Sequence, residues 1–131
     1  MALVLMIDDD PMLQDSFTSI LERNGFNVIK SRDGEDGLIK AEAENPDIIV
    51  LDMLMPKLHG IEFLKRYDLK NKHPNVKVLV LSSMDSGDLI HQAMELGAWR
   101  YAIKLQTSPK SLLGLINEAF GQIDKANPVS D

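Results

Sequence analysis

Leu3-Val-Leu-Met-Ile7 runs without a break into Asp8-Asp9-Asp10 and then Pro11. Five apolar residues that stop dead at an acid cluster fit a strand buried on both faces of a parallel sheet, whose carboxyl end opens to solvent. The signature recurs in Asp47-Ile-Ile-Val-Leu-Asp52, in Val76-Lys-Val-Leu-Val-Leu-Ser82 and, shorter, in Arg100-Tyr-Ala-Ile-Lys104. Asn27-Val-Ile-Lys30 is weaker, as an edge strand would be. Helical spacing fills the gaps. Leu13, Phe17, Ile20 and Leu21 recur at three- and four-residue steps after Pro11, with Asn24-Gly25 as the stop. A second helix is expected over Gly34 to Glu44, with Leu38 and Ala41 inward, ending before Pro46. A third is expected over Gly60 to Leu69 with Ile61, Leu64 and Tyr67 on one face. A fourth is expected over Gly87 to Leu96 with Ile90, Ala93 and Met94 inward and Gly97 as the stop. The fifth opens at Ser108 and Pro109, carries Leu112, Leu113, Leu115, Ile116, Ala119 and Phe120, and ends near Asp124. Strand and helix thus alternate five times. Right-handed crossovers turn that order into a doubly wound (βα)5 three-layer α/β sandwich around a five-stranded parallel sheet.

The 131 residues are 44% hydrophobic and 26% charged, which suits one domain able to bury roughly two-thirds of its unfolded surface. The absence of Cys excludes a disulfide scaffold, a thiol nucleophile and any Cys-based metal site. A net charge of −6 argues against direct nucleic-acid binding, which needs clustered Lys and Arg. The apolar run Met1 to Ile7 is too short to span a bilayer or act as a signal peptide, so a cytoplasmic protein that makes no use of a membrane is expected. Residues 1–125 are assigned to the domain and 126–131, Ala126-Asn-Pro-Val-Ser-Asp131, to a tail or truncated linker.

Ligands of open α/β sheets bind beyond the carboxyl ends of the strands, where strand order reverses. In the order 2-1-3-4-5, Asp8 and Asp9 meet Asp52, with Ser82 and Lys104 beside them. Carboxylates about 5 Å apart repel by roughly 3 kcal/mol per pair at an effective dielectric near 20. A hard divalent cation such as Mg²⁺ relieves this and leaves room for a phosphate oxygen, while Lys104 supplies a point charge opposite. A carboxylate can itself be the nucleophile that takes up phosphorus. Taken singly, each group has a plainer role. Asp8 to Asp10 could serve a helix N-terminus, Asp52 a turn, and Lys104 and Ser82 the solvated surface; their joint occurrence at four strand ends points to a site. His59, His73 and His91 lack metal-ligand spacing and read as surface residues. No Walker or GxGxxG loop is present. The seven Met read as core filler, with Met53, Met55 and Met84 flanking the crevice.

Over about Leu3 to Asp124 the chain resembles the receiver (response-regulator) domain of two-component signalling, a flavodoxin-like fold shared with chemotaxis regulators. The matching segments are Ile7-Asp-Asp-Asp-Pro11, Asp52-Met-Leu-Met-Pro56 followed by Gly60, Val80-Leu-Ser-Ser83, Gly97-Ala98 and Tyr101-Ala-Ile-Lys104. The resemblance implies that Asp52 is the phosphoacceptor, taking phosphorus from a phosphohistidine on a sensor histidine kinase or phosphotransfer protein, or from a small donor. It implies that Asp9 and Asp52 ligate Mg²⁺ (or Mn²⁺) directly, with Asp8 acting through water and the Leu54 backbone carbonyl as a further ligand. Lys104 and Ser82 would hold the phosphoryl oxygens, and Ser82 and Tyr101 would form the switch. The face made by the fourth helix, fifth strand and fifth helix, near Trp99 and His91, would change shape to control an output or pair two copies of the chain.

Three departures stand out. Leu105 follows Lys104 where many receivers carry proline, so a cis bond there is not expected. Gly37 should weaken the second helix by up to about 1 kcal/mol. Trp99 precedes the fifth strand, as a core residue or as a partner anchor. Leu54 and Met84 offer no polar group to orient a hydrolytic water, which implies slow self-dephosphorylation; the resemblance implies a signalling domain with no enzymatic turnover beyond its own phosphotransfer and that slow loss. Two other functions fit less well: a phosphorylation-independent interaction module, and a Mg²⁺ phosphatase with an aspartyl nucleophile, whose usual second Asp is replaced here by Leu54.

Overall fold

Val4 to Ile7 pair with a neighbouring strand on both edges and Leu3 on one, so the run lies inside the sheet with both faces available for burial. The structure is a computed structural model and describes residues 2–123; the expected tail, 126–131, lies outside the described residues. Its elements are β1 (Leu3–Ile7), α1 (Pro11–Arg23), β2 (Asn27–Ser31), α2 (Gly34–Glu44), β3 (Ile48–Leu51), α3 (Gly60–Tyr67), β4 (Lys77–Ser82), α4 (Gly87–Glu95), β5 (Arg100–Ile103) and α5 (Pro109–Ile123). All strand pairs are parallel, in the order β2-β1-β3-β4-β5.

The pleat divides the apolar runs between two cores. Leu5, Ile7, Ile49, Leu51, Val78 and Val80 face α2, α3 and α4, where Ala41, Phe63, Leu64, Tyr67 and Ala93 close the layer. Val4, Met6, Ile48, Val50, Leu79 and Leu81 face α1 and α5, against Phe17, Leu21, Leu112, Ile116 and Ala119. A strand with a core on each side must be apolar at every position.

Helix ends follow from local chemistry. Ser108 caps α5, its Oγ accepting from Ser111 N–H (3.1 Å). Gly25 and Gly97 end α1 and α4 with φ of +92° and +105°. The third helix is shorter than expected. It stops at Tyr67 because Asp68 turns left-handed (φ +55°), and a separate helical turn, Leu69–Lys72, follows. Phe63 joins Leu64 and Tyr67 in its buried face.

Two expectations about burial fail. Met94 is exposed, and α4 instead seats Leu89, Ala93 and Leu96 on the core. His73 is not a free surface residue: its ring stacks on Tyr67 at 3.9 Å, with Nε2 3.2 Å from Glu42 Oε1. Burial first, and Glu42 second, push the Tyr67 phenol up to about 12, so the stack involves a neutral phenol. Gly37 has a packing reason. A Cβ there would meet Ile7 Cδ1 at 2.7 Å and Cγ2 at 2.9 Å, so the missing side chain lets α2 lie against β1.

Candidate functional site

Parallel register turns successive strand ends into neighbours. Ile7 pairs with Leu51, so the next residues, Asp8 and Asp52, stand side by side. Asp52 N–H donates to Ile7 O and Asp8 N–H to Ser31 O, both at 3.0 Å, which extends the ladder one step and fixes both carboxylates. Ser82, the last residue of β4, pairs with Ile103, and Lys104 follows in a 3₁₀ turn, Lys104–Gln106. The Lys104–Leu105 peptide bond is trans.

The resulting crevice is buried and charged. Asp8 is 2% exposed, Asp52 4% and Ser82 0%, while Asp9 is exposed at its mouth. Carboxylate oxygens of Asp8, Asp9 and Asp52 all lie within 4.8 Å of one another. Lys104 Nζ reaches both buried acids, 2.9 Å from Asp8 Oδ2 and 3.1 Å from Asp52 Oδ2. Burial, then the Asp8 carboxylate, push Asp52 above the ordinary carboxylate range, against the pull of Lys104 and of Leu54 N–H. Burial disfavours the Lys104 ammonium, but Asp8 and Asp52 outweigh it and raise the group above its ordinary value. An all-oxygen donor set with surplus negative charge fits a hard divalent cation.

Two members of the acid triplet have separate hydrogen-bonding tasks. Asp10 caps α1, its Oδ1 accepting from Met12 and Leu13 N–H (3.1 and 3.3 Å), which is the plain helix-end role. Asp8 Oδ1 accepts from Asp10 N–H (2.9 Å), which leaves its other oxygen for Lys104. Ser82 Oγ accepts from Met84 N–H (3.1 Å), and the Tyr101 hydroxyl donates to Met84 O (2.7 Å), so hydroxyl, loop and ring are linked through one residue. Burial is the main influence that raises the Tyr101 phenol.

Of the proposed flanking methionines, Met53 and Met55 are buried in the core and Met84 is half-buried. Trp99 packs against the α1/α5 core with the Arg100 guanidinium 4.6 Å from its ring centroid. His91 is exposed on α4, 3.6 Å from Glu95. Two supporting residues lie outside the sequence-predicted set. Gln14, buried, donates to Ser31 O (2.6 Å) and Met6 O (3.3 Å), tying α1 to the end of the sheet; a polar residue on the helix face shared by Phe17 and Leu21 was the available clue. Gly34 holds α2 against the loop after Asp52, where a Cβ would lie 2.1 Å from Leu58 O.

The family model for the response regulator receiver domain matches residues 4–117. The chain belongs to the response-regulator receiver family. It is 35% identical over 128 residues to the Bacillus subtilis alkaline phosphatase synthesis transcriptional regulatory protein PhoP, covering 98% of this chain and 52% of that protein. With protein PilH of Pseudomonas aeruginosa the identity is 31% over 85 residues, 65% of this chain and 70% of PilH. Among solved structures, a CheY-like receiver domain protein of Methanospirillum hungatei superposes with a TM-score of 0.89 at 28% identity, covering 97% of this chain and 99% of that one. Vibrio cholerae chemotaxis protein CheY4 gives 0.82 at 27%, covering 91% and 98%. The chain spans about half the length of the first curated relatives it matches. Receiver domains of this family act in two-component signalling with histidine kinases or phosphotransfer proteins, typically bind Mg²⁺ at an acidic pocket, and are generally signalling domains and not enzymes. Among the described residues no helix is long and apolar enough to cross a membrane.

Proposed function

We propose that Asp52 is the phosphoacceptor of a cytoplasmic receiver domain spanning residues 1–125, phosphorylated by a sensor histidine kinase, a phosphotransfer protein or a small donor. The observation that carries this reading is a 4%-exposed carboxylate held 3.1 Å from an ammonium and clustered with two further acids. An Asp52 oxygen attacks phosphorus in line with the departing group. Asp8, Asp9 and Asp52, with the Leu54 carbonyl, would hold Mg²⁺ or Mn²⁺, which would neutralise the incoming phosphoryl charge. Lys104 lies close enough to both buried acids to transfer its attraction to a phosphoryl oxygen.

Switching follows from the links at Met84. A phosphoryl oxygen would give the Ser82 hydroxyl proton a charged acceptor; as Oγ rotates towards it, the Oγ lone pair turns from Met84 N–H, that contact is lost and the loop before α4 moves. The Tyr101 bond to Met84 O must then break, which frees the ring to turn inward. The α4, β5 and α5 face, where His91 is exposed and Trp99 lies at its edge, carries the change to an output or to a second copy of the chain. Intact mass after incubation with Mg²⁺ and acetyl phosphate tests the reading: one phosphoryl adduct on the wild type and none on Asp52→Ala. An adduct that survives Asp52→Ala refutes it.

A further inference from the structure

Behind the crevice, Gln14 is 2% exposed on the face of α1 that it shares with Phe17 and Leu21. Its amide donates to Ser31 O (2.6 Å) and Met6 O (3.3 Å). Ser31 O also accepts from Asp8 N–H (3.0 Å), and Gln14 N–H donates to Asp10 O (3.0 Å). Asp10 N–H in turn donates to Asp8 Oδ1 (2.9 Å). These bonds close a ring that runs from Asp8 to Ser31, through the side chain and backbone of Gln14 to Asp10, and back to Asp8. Asp9 joins two members of that ring, so an exposed carboxylate at the mouth takes its place from a buried amide. An amide among apolar neighbours costs free energy unless its donors are met, which holds the ring together as one unit.

We infer that Gln14 is a positioning residue for the metal site: by fixing Asp9 against Asp8 and Asp52 it makes the site prefer Mg²⁺ to Ca²⁺. This rests on the reading of those three carboxylates as metal ligands. Mg²⁺ demands near-ideal octahedral geometry with oxygens at about 2.0–2.1 Å, whereas Ca²⁺ accepts about six to eight oxygens at about 2.3–2.6 Å in flexible arrangements. Loosening one member of the set therefore costs more Mg²⁺ affinity than Ca²⁺ affinity. Groups that orient metal ligands from behind commonly carry about 10- to 100-fold of affinity, and Gln14, which acts through the backbone, belongs at the lower end. The coupling is reciprocal: the factor that the ring adds to Mg²⁺ binding is the factor by which bound Mg²⁺ tightens the ring.

Calorimetry on the full chain gives the Mg²⁺ and Ca²⁺ affinities of the wild type, of Gln14→Met, which keeps the length of the side chain but has no donor, and of Leu21→Val, which loosens the same helix away from the ring. Gln14→Met should weaken Mg²⁺ by about tenfold and Ca²⁺ by less than about threefold, while Leu21→Val leaves the ratio of the two as in the wild type. On the wild type, exchange of the Gln14 side-chain amide protons, followed by NMR, should slow by about tenfold when Mg²⁺ binds and by less than about threefold with Ca²⁺, a readout independent of any variant's folding. Equal weakening of both ions in Gln14→Met, the same change of ratio in Leu21→Val, or amide exchange that Mg²⁺ leaves unaltered overturns the role of Gln14 and leaves the metal site standing. A wild type that binds neither ion, or Mg²⁺ binding unchanged in Asp9→Ala and Asp52→Ala, overturns both.

Discussion

Asp52→Asn should make the metal-free protein more stable. The substitution keeps the shape and the Leu54 N–H bond but removes one charge from a cluster whose oxygens lie within 4.8 Å. At an effective dielectric near 20, a pair at that separation repels by about 3.5 kcal/mol, and Asp52 takes part in two such pairs. Against this stands its attraction to Lys104 at 3.1 Å, about 5 kcal/mol on the same scale. Lys104 keeps Asp8 at 2.9 Å, so the variant leaves no buried ammonium without a partner. Two repulsions against one attraction leave about 2 kcal/mol in favour of neutralisation, and solvent screening of the exposed Asp9 pair trims this to about 1–2 kcal/mol. For a domain of this size that corresponds to a Tm about 4–8 °C higher.

The pH dependence has a definite sign. The Asp52 pKa is raised in the folded chain, so between the unfolded and folded values the native state binds more protons than the unfolded state. Wild-type stability in chelator therefore falls as pH rises through that window, and Asp52→Asn lacks this component. Mg²⁺ reverses the comparison. At a hundred times its Kd a cation adds about 2.7 kcal/mol to the wild type, whereas on the proposed ligand set the variant lacks one ligand and should gain less. Thermal melts of both proteins in EDTA and in Mg²⁺, from pH 4 to pH 8, decide the matter. An Asp52→Asn protein less stable than wild type in EDTA at pH 7 would refute the reasoning, since the Lys104 attraction would then outweigh the repulsion.

Lys104→Met removes a cation that holds the carboxylates of the proposed metal site, so Mg²⁺ should bind several-fold more tightly by calorimetry while the proposed phosphorylation of Asp52 should slow by about 10²-fold. Gly34→Ala places a methyl group 2.1 Å from Leu58 O, a backbone atom that cannot step aside, and should cost about 1–3 kcal/mol in urea unfolding. Leu54 and Met84 bring no polar group to the face from which water must attack, so the phosphoryl group should persist for minutes or longer; Leu54→Asn with Met84→Glu should shorten its decay, measured by loss of the adduct mass. Tyr101→Phe deletes the 2.7 Å bond to Met84 O and should lower stability by about 0.5–1.5 kcal/mol.

What could be read from the chain depended on whether a feature is set by one strand or by several loops. The crevice was legible because parallel register makes neighbours of strand ends: once Ile7 and Leu51 pair, Asp8 and Asp52 must meet. How the acid triplet would divide its labour was not legible, because the cap at Asp10 depends on where α1 starts, and only the fold shows that Asp8 turns inward while Asp9 stays at the mouth. Gly37 looked like a weak point of a helix when judged by propensity, yet its value lies in Ile7, thirty residues earlier, which a side chain there would strike. The third helix is shorter than its spacing predicts for a similar reason: Lys65 to Lys72 has no proline or glycine, and the break is a left-handed Asp68, after which His73 stacks on Tyr67. The apolar pocket beside the crevice, lined by Met53, Leu54, His59, Ile61, Met84 and Leu89, was the least visible feature. Its lining comes from 53–61 and 84–89, and the first of these segments takes its path from Lys57, left-handed at φ +70° with Leu58 N–H donating to Pro56 O at 2.8 Å. Nothing in Met53-Leu-Met-Pro-Lys57 marks that turn, since the residue that adopts it is one that ordinarily avoids it. The charged crevice is therefore written in strand ends that sequence spacing exposes, while the apolar surface beside it is shaped by loops whose left-handed turn only the folded chain reveals.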